Sequence, residues 1–182
     1  GSGQGECLGA VKRAQLRRVP GAGVGMILPD PVTSLNPGLK FGYQIGEAIK
    51  KHSPKEKNAV VKQRVIDLLR LVGVPNPDSR YDNYPHEFSG GMRQRAMIAM
   101  SIANSPSLLI ADEPTTALDV TIQAQVLEVL KRVQAETQAA TILITHDLGI
   151  VAELCERVSV MYGGKIVEHG GGHTIVQNPR HP

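Results

Sequence analysis

Two adjacent carboxylates, Asp112 and Glu113, directly follow an uninterrupted apolar run at residues 108–111. Such a run predicts a strand that is buried on both faces, and ligands bind at the carboxyl ends of strands in parallel α/β sheets. At that edge one carboxylate could hold Mg²⁺ through water, while its neighbour could act as a general base on an attacking water. The pair could equally be two solvated acids that cap the next helix, so the dipeptide alone leaves both interpretations open.

A second candidate site is formed by Ser89, Gly90 and Gly91, which open a predicted helix over residues 89–104 with Ser89 as its N-cap. A Ser-Gly-Gly helix start exposes backbone N–H groups at the positive end of the helix dipole, and no side chain blocks the approach of a phosphate. Glycine-rich helix starts are also common without a ligand, so this signal is weak by itself.

The third candidate is His146, which directly follows a second apolar run at residues 140–145. If that run is a buried strand of the same sheet, His146 lies at the same edge as Asp112 and Glu113. Its imidazole could then donate a hydrogen bond to a phosphate oxygen, although a lone histidine is more often structural.

The elements that would position these residues follow from hydrophobic spacing. Apolar side chains recur at offsets 0, 4, 7, 8 and 11 in two segments, which predicts helices there. From residue 107 onward strands and helices alternate, and this order predicts a parallel sheet covered by helices. Strands are predicted over residues 25–28, 108–111 and 140–145, helices over 41–52, 61–72, 89–104, 122–133 and 148–156, and a hairpin over 158–168 that turns at Gly163 and Gly164.

The amino-acid composition limits the number of domains and the class of protein. The chain has 182 residues, enough for one domain, and its core must be aliphatic because aromatic residues make up 3% and tryptophan is absent. A net charge of +3 is too small to imply nucleic-acid binding, and no apolar run approaches the ~20 residues of a membrane span. Cys7 and Cys155 lie far apart without a metal-binding spacing. We therefore expect a soluble, reduced, intracellular α/β domain.

Taken in order, four segments resemble the motifs of the ATP-binding cassette (ABC) ATPases. FSGGMRQR is similar to the family's signature motif, LLIADEP to Walker B, TTALD to the D-loop and ITHD to the switch-histidine region. Longer stretches, such as DPVTSLNPGLKFGYQIGEAI and YPHEFSGGMRQRAMIAMSIA, closely resemble the cassette subunits of dipeptide and oligopeptide importers, a subgroup that includes nickel importers.

This resemblance implies an α/β fold, a P-loop NTPase-like parallel sheet with an inserted helical subdomain. Residues 1–38 would be a remnant of the N-terminal core up to the Q-loop position, and residues 39–105 the helical subdomain with the signature helix. Residues 106–182 would form the RecA-like core with Walker B, the D-loop, the switch histidine and a C-terminal hairpin.

The resemblance also implies ATP and Mg²⁺ as cofactors, and a role for each motif residue. Ser89, Gly90 and Gly91 would cradle the γ-phosphate of an ATP held by a partner cassette, with Gln94 nearby. Asp112 would hold Mg²⁺ through water, and Glu113 would be the general base. His146 would contact the γ-phosphate, and Asp119 would communicate across the dimer.

The partners implied are a second ABC cassette, identical or different, and transmembrane permease subunits that dock on residues 44–104. A solute-binding protein would act indirectly, and no nucleic acid is implied. Such a subunit is peripheral, at the cytoplasmic face of the inner (plasma) membrane of a bacterium or archaeon.

Two departures from the family pattern matter for function. The phosphate loop G-x-x-x-x-G-K-[ST] is absent from the sequence, and Pro29 stands where these importers usually have a glutamine whose amide reaches Mg²⁺ and the attacking water. We therefore expect an N-terminally incomplete cassette without Walker A, with an exposed sheet edge, which binds Mg-ATP poorly and has no appreciable ATPase activity alone.

Three functions remain open from the sequence. The chain could be part of the ATPase subunit of a peptide-type importer, which explains all four motifs. It could be a non-catalytic cassette that serves as a docking and dimerisation module for a catalytic partner, as Pro29 and the absent phosphate loop suggest. It could also be an ABC ATPase without a transporter, which the importer-like segments disfavour.

Overall fold

The computed structural model describes residues 23–29, 35–116, 118–178 and 180, and the chain divides into two compact units, Gly1–Ile142 and Leu143–Pro182. The first unit contains, in chain order, β1 (Val24–Ile27), α1 (Phe41–His52), α2 (Asn58–Leu71), α3 (Pro77–Arg80), a 3₁₀ turn (Pro85–Glu87), α4 (Gly90–Ile102), β2 (Leu108–Asp112), α5 (Val120–Thr137) and β3 (Ala140–Ile144), which ends just past the boundary. The second contains α6 (Leu148–Leu154), β4 (Arg157–Tyr162), β5 (Lys165–Gly171) and α7 (Gly172–Gln177). The predicted remnant over residues 1–38 lies mostly outside the described residues, and the three-part division of the chain stays a prediction.

The sheet of the first unit has the order β1-β2-β3. Strands β1 and β2 are parallel, as predicted, with Val24 opposite Leu108 and Ile27 opposite Ala111. Within the described part of the chain β1 and β3 are the sheet's two edges.

The prediction that the strands are buried on both faces is wrong for the described residues. Along β2, Leu109 and Ala111 are buried whereas Ile110 is only half-buried, and Ile142 and Ile144 on β3 are 49% and 47% exposed. This alternation arises because one face of the sheet is covered by the described helices and the other is left more open.

The helical part of the first unit follows the predicted stripes closely. Helix α1 begins and ends at the predicted residues and buries Phe41, Ile45 and Ile49, which lie four residues apart along one face. Helix α2 begins earlier than the stripe, at Asn58, and buries Val61, Val65, Ile66 and Leu69. Residues 75–85 contain the short α3 and the start of the 3₁₀ turn.

The second unit contains the predicted hairpin, in which β4 and β5 pair antiparallel. Gly163 and Gly164 both have positive φ, +56° and +76°, as a tight two-residue hairpin turn requires. Helix α7 was not predicted from the sequence, and it packs on α6 and the hairpin. Burial raises the pKa of the Cys155 thiol, which lies between α6 and β4.

No helix among the described residues combines the length and apolar character that crossing a membrane would need.

Candidate functional site

Asp112 and Glu113 lie at the carboxyl end of β2, where the sequence analysis places them. Asp112 is the last residue of the strand and is half-buried, and its carboxylate makes no hydrogen bond or ion pair with any described residue. No group of three or more His, Cys, Asp and Glu side chains converges anywhere in residues 23–29, 35–116, 118–178 and 180. A single carboxylate of this kind fits Mg²⁺, which keeps several waters and takes one or two carboxylates together with phosphate oxygens.

The backbone turns sharply at Glu113, which has φ +42°. Positive φ is uncommon for a residue with a side chain, and the following Pro114 restricts Glu113 further toward extended conformations. Holding such a residue costs of order 1–3 kcal/mol, so the surrounding structure must fix it. Thr116 does so locally, because its hydroxyl donates to Glu113 Oε2 at 2.6 Å and its amide donates to the Glu113 carbonyl at 3.1 Å.

Gln94 lies one turn into α4 and points into the protein interior. Its side chain is 1% exposed, and its Nε2 donates a hydrogen bond to the carbonyl oxygen of Pro114 at 2.7 Å. This hydrogen bond links α4 to the turn after β2. The predicted place of Gln94 near the nucleotide stays a prediction.

The start of α4 has the features expected of an anion site. Ser89 caps the helix, since its Oγ accepts a hydrogen bond from the Met92 amide at 3.4 Å. Ser89 and Gly90 are exposed, whereas Gly91 is buried. The first amides of a helix have no intrahelical acceptor, so those of the first turn that Ser89 does not satisfy remain available to an anion.

Packing behind the helix start holds it in place. Phe88, just before the cap, is 2% exposed and lies against Phe41 of α1, with ring centroids 4.2 Å apart. The Arg93 Nε donates to the Phe88 carbonyl at 3.1 Å. Two residues further, Arg95 donates from Nη1 to the Gly73 carbonyl and from Nη2 to Gln125 Oε1, both at 2.7 Å, and so ties α4 to the loop after α2 and to α5.

Asp119 is exposed and forms the N-cap of α5, with its Oδ1 accepting from the Ile122 amide at 3.0 Å. The carboxylate is therefore already engaged in capping its own helix. A role for Asp119 across a dimer stays a prediction. Ala117 of the TTALD segment lies outside the described residues.

His146 belongs to the second unit and is exposed, two residues after β3 ends. Around it the chain is ordered by local hydrogen bonds: the Asp147 amide donates to Thr145 Oγ1 at 3.1 Å, and Asp147 caps α6 by accepting from the Gly149 amide at 2.8 Å. The sequence order from strand to histidine to helix is as predicted, and the role of His146 stays a prediction.

Pro29 is exposed, two residues beyond the end of β1. A proline supplies neither a side-chain amide nor a backbone N–H at this position. Gln44 does not replace it, because its amide is bonded to the loop before α1: Nε2 donates to the Asn36 and Leu39 carbonyls, and Oε1 accepts from the Asn36 amide.

Two features of this site were not predicted from the sequence. Thr116 contacts the carboxylate of Glu113, and a Thr three residues after a turn-forming Glu is a spacing that could have indicated it. The burial of Gln94 could have been suspected from its position on α4, among buried residues such as Ala96 and Met97.

Comparison with known proteins places the chain in a family. The sequence profile of the family described as ABC transporter matches residues 6–116. The chain is 53% identical to the oligopeptide transport ATP-binding protein OppD of Bacillus subtilis over 98% of its own length and 50% of the relative's. It is 57% identical to the dipeptide transport ATP-binding protein DppD of Haemophilus influenzae over 91% of its length and 50% of the relative's. The chain thus spans about half the length of these curated relatives.

Solved structures with the same fold are also ATP-binding cassettes. The dimeric post-hydrolysis state of the cassette MJ0796, bound to ADP and phosphate, has a TM-score of 0.76 at 21% identity, covering 89% of this chain and 68% of that one. CbiO1 of Clostridium perfringens, part of the cbiONQ transporter complex, has a TM-score of 0.77 at 24% identity, covering 93% and 69%. At these identities the likeness shows the fold alone and confirms the predicted fold class. The chain belongs to the ABC transporter family.

Proposed function

We propose that this chain is part of the ATP-binding and ATP-hydrolysing subunit of an ABC importer for dipeptides or oligopeptides. The observation that carries the proposal is the half-buried carboxylate of Asp112 at the end of β2, which has no hydrogen bond or ion pair with the described residues and is directly followed by Glu113 at a sharp turn. The names of the relatives, which are peptide transport ATP-binding proteins, support the class of solute.

In this proposal Asp112 would hold Mg²⁺, which would supply positive charge to neutralise the phosphates. Glu113 accepts the proton of the attacking water as the water oxygen forms a bond to the γ-phosphorus. The bond between the γ-phosphorus and the bridging oxygen breaks, and ADP and phosphate leave. His146 donates a hydrogen bond to a γ-phosphate oxygen and so stabilises the charge that is transferred.

The start of α4 acts on a different nucleotide, one held by a second cassette. The exposed amides near Ser89 and Gly90 lie at the positive end of a 13-residue helix, so they attract the γ-phosphate of that nucleotide. Hydrolysis in this scheme needs two cassettes, identical or different, each of which completes the site of the other.

The same proposal includes partners at the membrane. Permease subunits would dock on the helical region around residues 44–104, and a solute-binding protein would deliver peptide on the other side. The subunit would then be peripheral, at the cytoplasmic face of the membrane. The transported solute would contact the permease rather than the cassette.

A second candidate function is a non-catalytic cassette that offers its α4 start to a catalytic partner. The observation that favours it is Pro29, which cannot supply the amide expected after β1. The 182-residue sequence also contains no G-x-x-x-x-G-K-[ST] loop, and we propose that this chain by itself binds Mg-ATP weakly.

The two candidates differ in what the full-length gene product does. Co-expressed with the permease subunits of its transporter and reconstituted in liposomes, it should hydrolyse ATP in a Mg²⁺-dependent way and drive uptake of a labelled dipeptide. Uptake that requires a second, different cassette and persists when Glu113 is changed to Gln would support the non-catalytic function instead.

A further inference from the structure

The turn at residues 113–116 contains the proposed general base, Glu113, in an unfavourable backbone conformation. Glu113 has φ +42° and precedes a proline, two conditions that residues with side chains usually avoid together. Backbone of this kind persists only where neighbouring groups fix it, and it occurs often at functional sites. The groups that fix this turn therefore decide where the Glu113 carboxylate lies.

Among the described residues, the side chains of Thr116 and Gln94 donate hydrogen bonds to this turn. Thr116 donates its hydroxyl to Glu113 Oε2 at 2.6 Å, a short bond to the carboxylate itself. Gln94 donates Nε2 to the Pro114 carbonyl at 2.7 Å from inside the protein, where its side chain is 1% exposed. Thr116 thus orients the carboxylate, and Gln94 fixes the peptide that follows it.

The position of Gln94 on α4 also connects the turn at Glu113 to the start of that helix. It is one turn from the helix start formed by Ser89, Gly90 and Gly91. The same rigid helix therefore carries the candidate anion site and holds the turn of the candidate general base. A displacement of the helix start would be passed to Glu113 through one buried hydrogen bond.

We propose that Gln94 and Thr116 are positioning residues for Glu113, and that Gln94 couples the start of α4 to the general base. This inference rests on the proposed function, since it assigns to both side chains a task in the hydrolysis that Glu113 performs. Neither residue needs to touch the nucleotide. Each acts through the place and orientation it gives to the carboxylate.

Thr116 offers the cleaner test because it is exposed and its loss should not unfold the protein. In the full-length gene product, Thr116→Val keeps the shape and removes the hydroxyl, whereas Thr116→Ser keeps the hydroxyl. We expect Thr116→Val to lower kcat by about 10- to 100-fold, as a misplaced catalytic group does. We expect the KM for ATP to stay within about twofold and Thr116→Ser to restore kcat. Thr121→Val, on the exposed start of α5, is the matched control and should change neither constant.

Gln94→Met tests the coupling, because methionine has a similar length but cannot donate to the Pro114 carbonyl. We expect it to lower kcat in the same way, with the affinity for a fluorescent ATP analogue retained. In a Glu113→Gln background neither Thr116→Val nor Gln94→Met should lower the residual rate further, since the group they position is gone. A merely structural role would lower it in both backgrounds.

The positioning proposal is overturned if Thr116→Val hydrolyses ATP as the wild type does, or if Thr116→Ser is as slow as Thr116→Val. It is also overturned if the loss appears in KM or persists in the Glu113→Gln background. Failure of the proposed function would give a different result. In that case the Glu113→Gln variant itself would hydrolyse ATP at the wild-type rate, and the positioning roles would be excluded together with the proposed function.

Discussion

A β-carbon placed on Gly91 would lie 2.6 Å from Cγ2 of Ile122, so helices α4 and α5 meet at this glycine without room for a side chain. Packing between the two helices therefore requires a glycine at position 91, in addition to its place in the signature-like segment. The close approach sets the direction in which the start of α4 points, and so bears on every role proposed for Ser89 and Gly90.

Gly91→Ala should destabilise the full-length protein by about 1–3 kcal/mol, because the added methyl group forces a shift at a packed contact. Gly90→Ala is the matched control, since its β-carbon would have Leu118 Cδ2 as its nearest neighbour at 4.0 Å. Chemical denaturation of both variants checks this. Equal unfolding midpoints for the two variants would contradict the packing argument, and Ile122→Ala should reduce the cost of Gly91→Ala if the contact is its cause.

Ser89 has two separable roles, capping α4 and leaving space for a phosphate. Ser89→Ala should cost about 1 kcal/mol of stability through the lost cap. Ser89→Asp should keep the cap and the stability, yet repel a phosphate and so abolish hydrolysis by the assembled cassettes. Thermal unfolding and ATPase rates, measured side by side, separate the two roles. Wild-type hydrolysis by Ser89→Asp would remove the helix start from the proposed site.

The elements of the chain could be predicted from the sequence because their hydrophobic periods are clear. Helix α1 matched the prediction at both ends, and the Gly163–Gly164 turn could be recognised from residues that tolerate positive φ. Burial of the strands was predicted less well, since an apolar run such as 140–144 does not tell whether another layer covers it. Ile142 and Ile144 are accordingly about half exposed.

The features of the candidate site, too, could be predicted only in part from the sequence. Asp112 and Ser89 were placed correctly because a strand end and a helix start are local features that the sequence marks. The hydrogen bond from Gln94 to Pro114 could not be predicted, because the two residues lie 20 positions apart and only tertiary packing brings them together. The positive φ of Glu113 could not be predicted from the sequence either, since a residue before proline is expected to be extended.

The 182-residue chain on its own should bind Mg-ATP with a dissociation constant in the millimolar range or weaker, about 1 mM corresponding to only ~4 kcal/mol. The reason is that it contains no phosphate loop with its lysine, which supplies most direct phosphate contacts. Calorimetric titration of the purified chain with ATP and Mg²⁺ measures this. A micromolar, Mg²⁺-dependent signal would show that the chain holds the nucleotide without such a loop.

Pro29→Gln should raise the hydrolysis rate of the full-length gene product, because it adds the amide that the importer pattern has at this position. We expect an increase of about tenfold at most, the contribution of one hydrogen bond to positioning of water. Pro29→Leu, which adds no amide, serves as the control. An unchanged rate for Pro29→Gln would mean that this position takes no part in hydrolysis, and a rise with both variants would assign the effect to the removal of proline.

The most direct test of the central claim is the ATPase rate of the Glu113→Gln variant of the full-length gene product, assembled with its permease partners. We expect kcat to fall by about 100-fold or more, as loss of a general base requires, while affinity for Mg-ATP is retained. Glu136→Gln, on the exposed face of α5, should leave the rate unchanged. Hydrolysis by Glu113→Gln at the wild-type rate would contradict the assignment of Glu113 as the catalytic base and with it the proposed function of this chain.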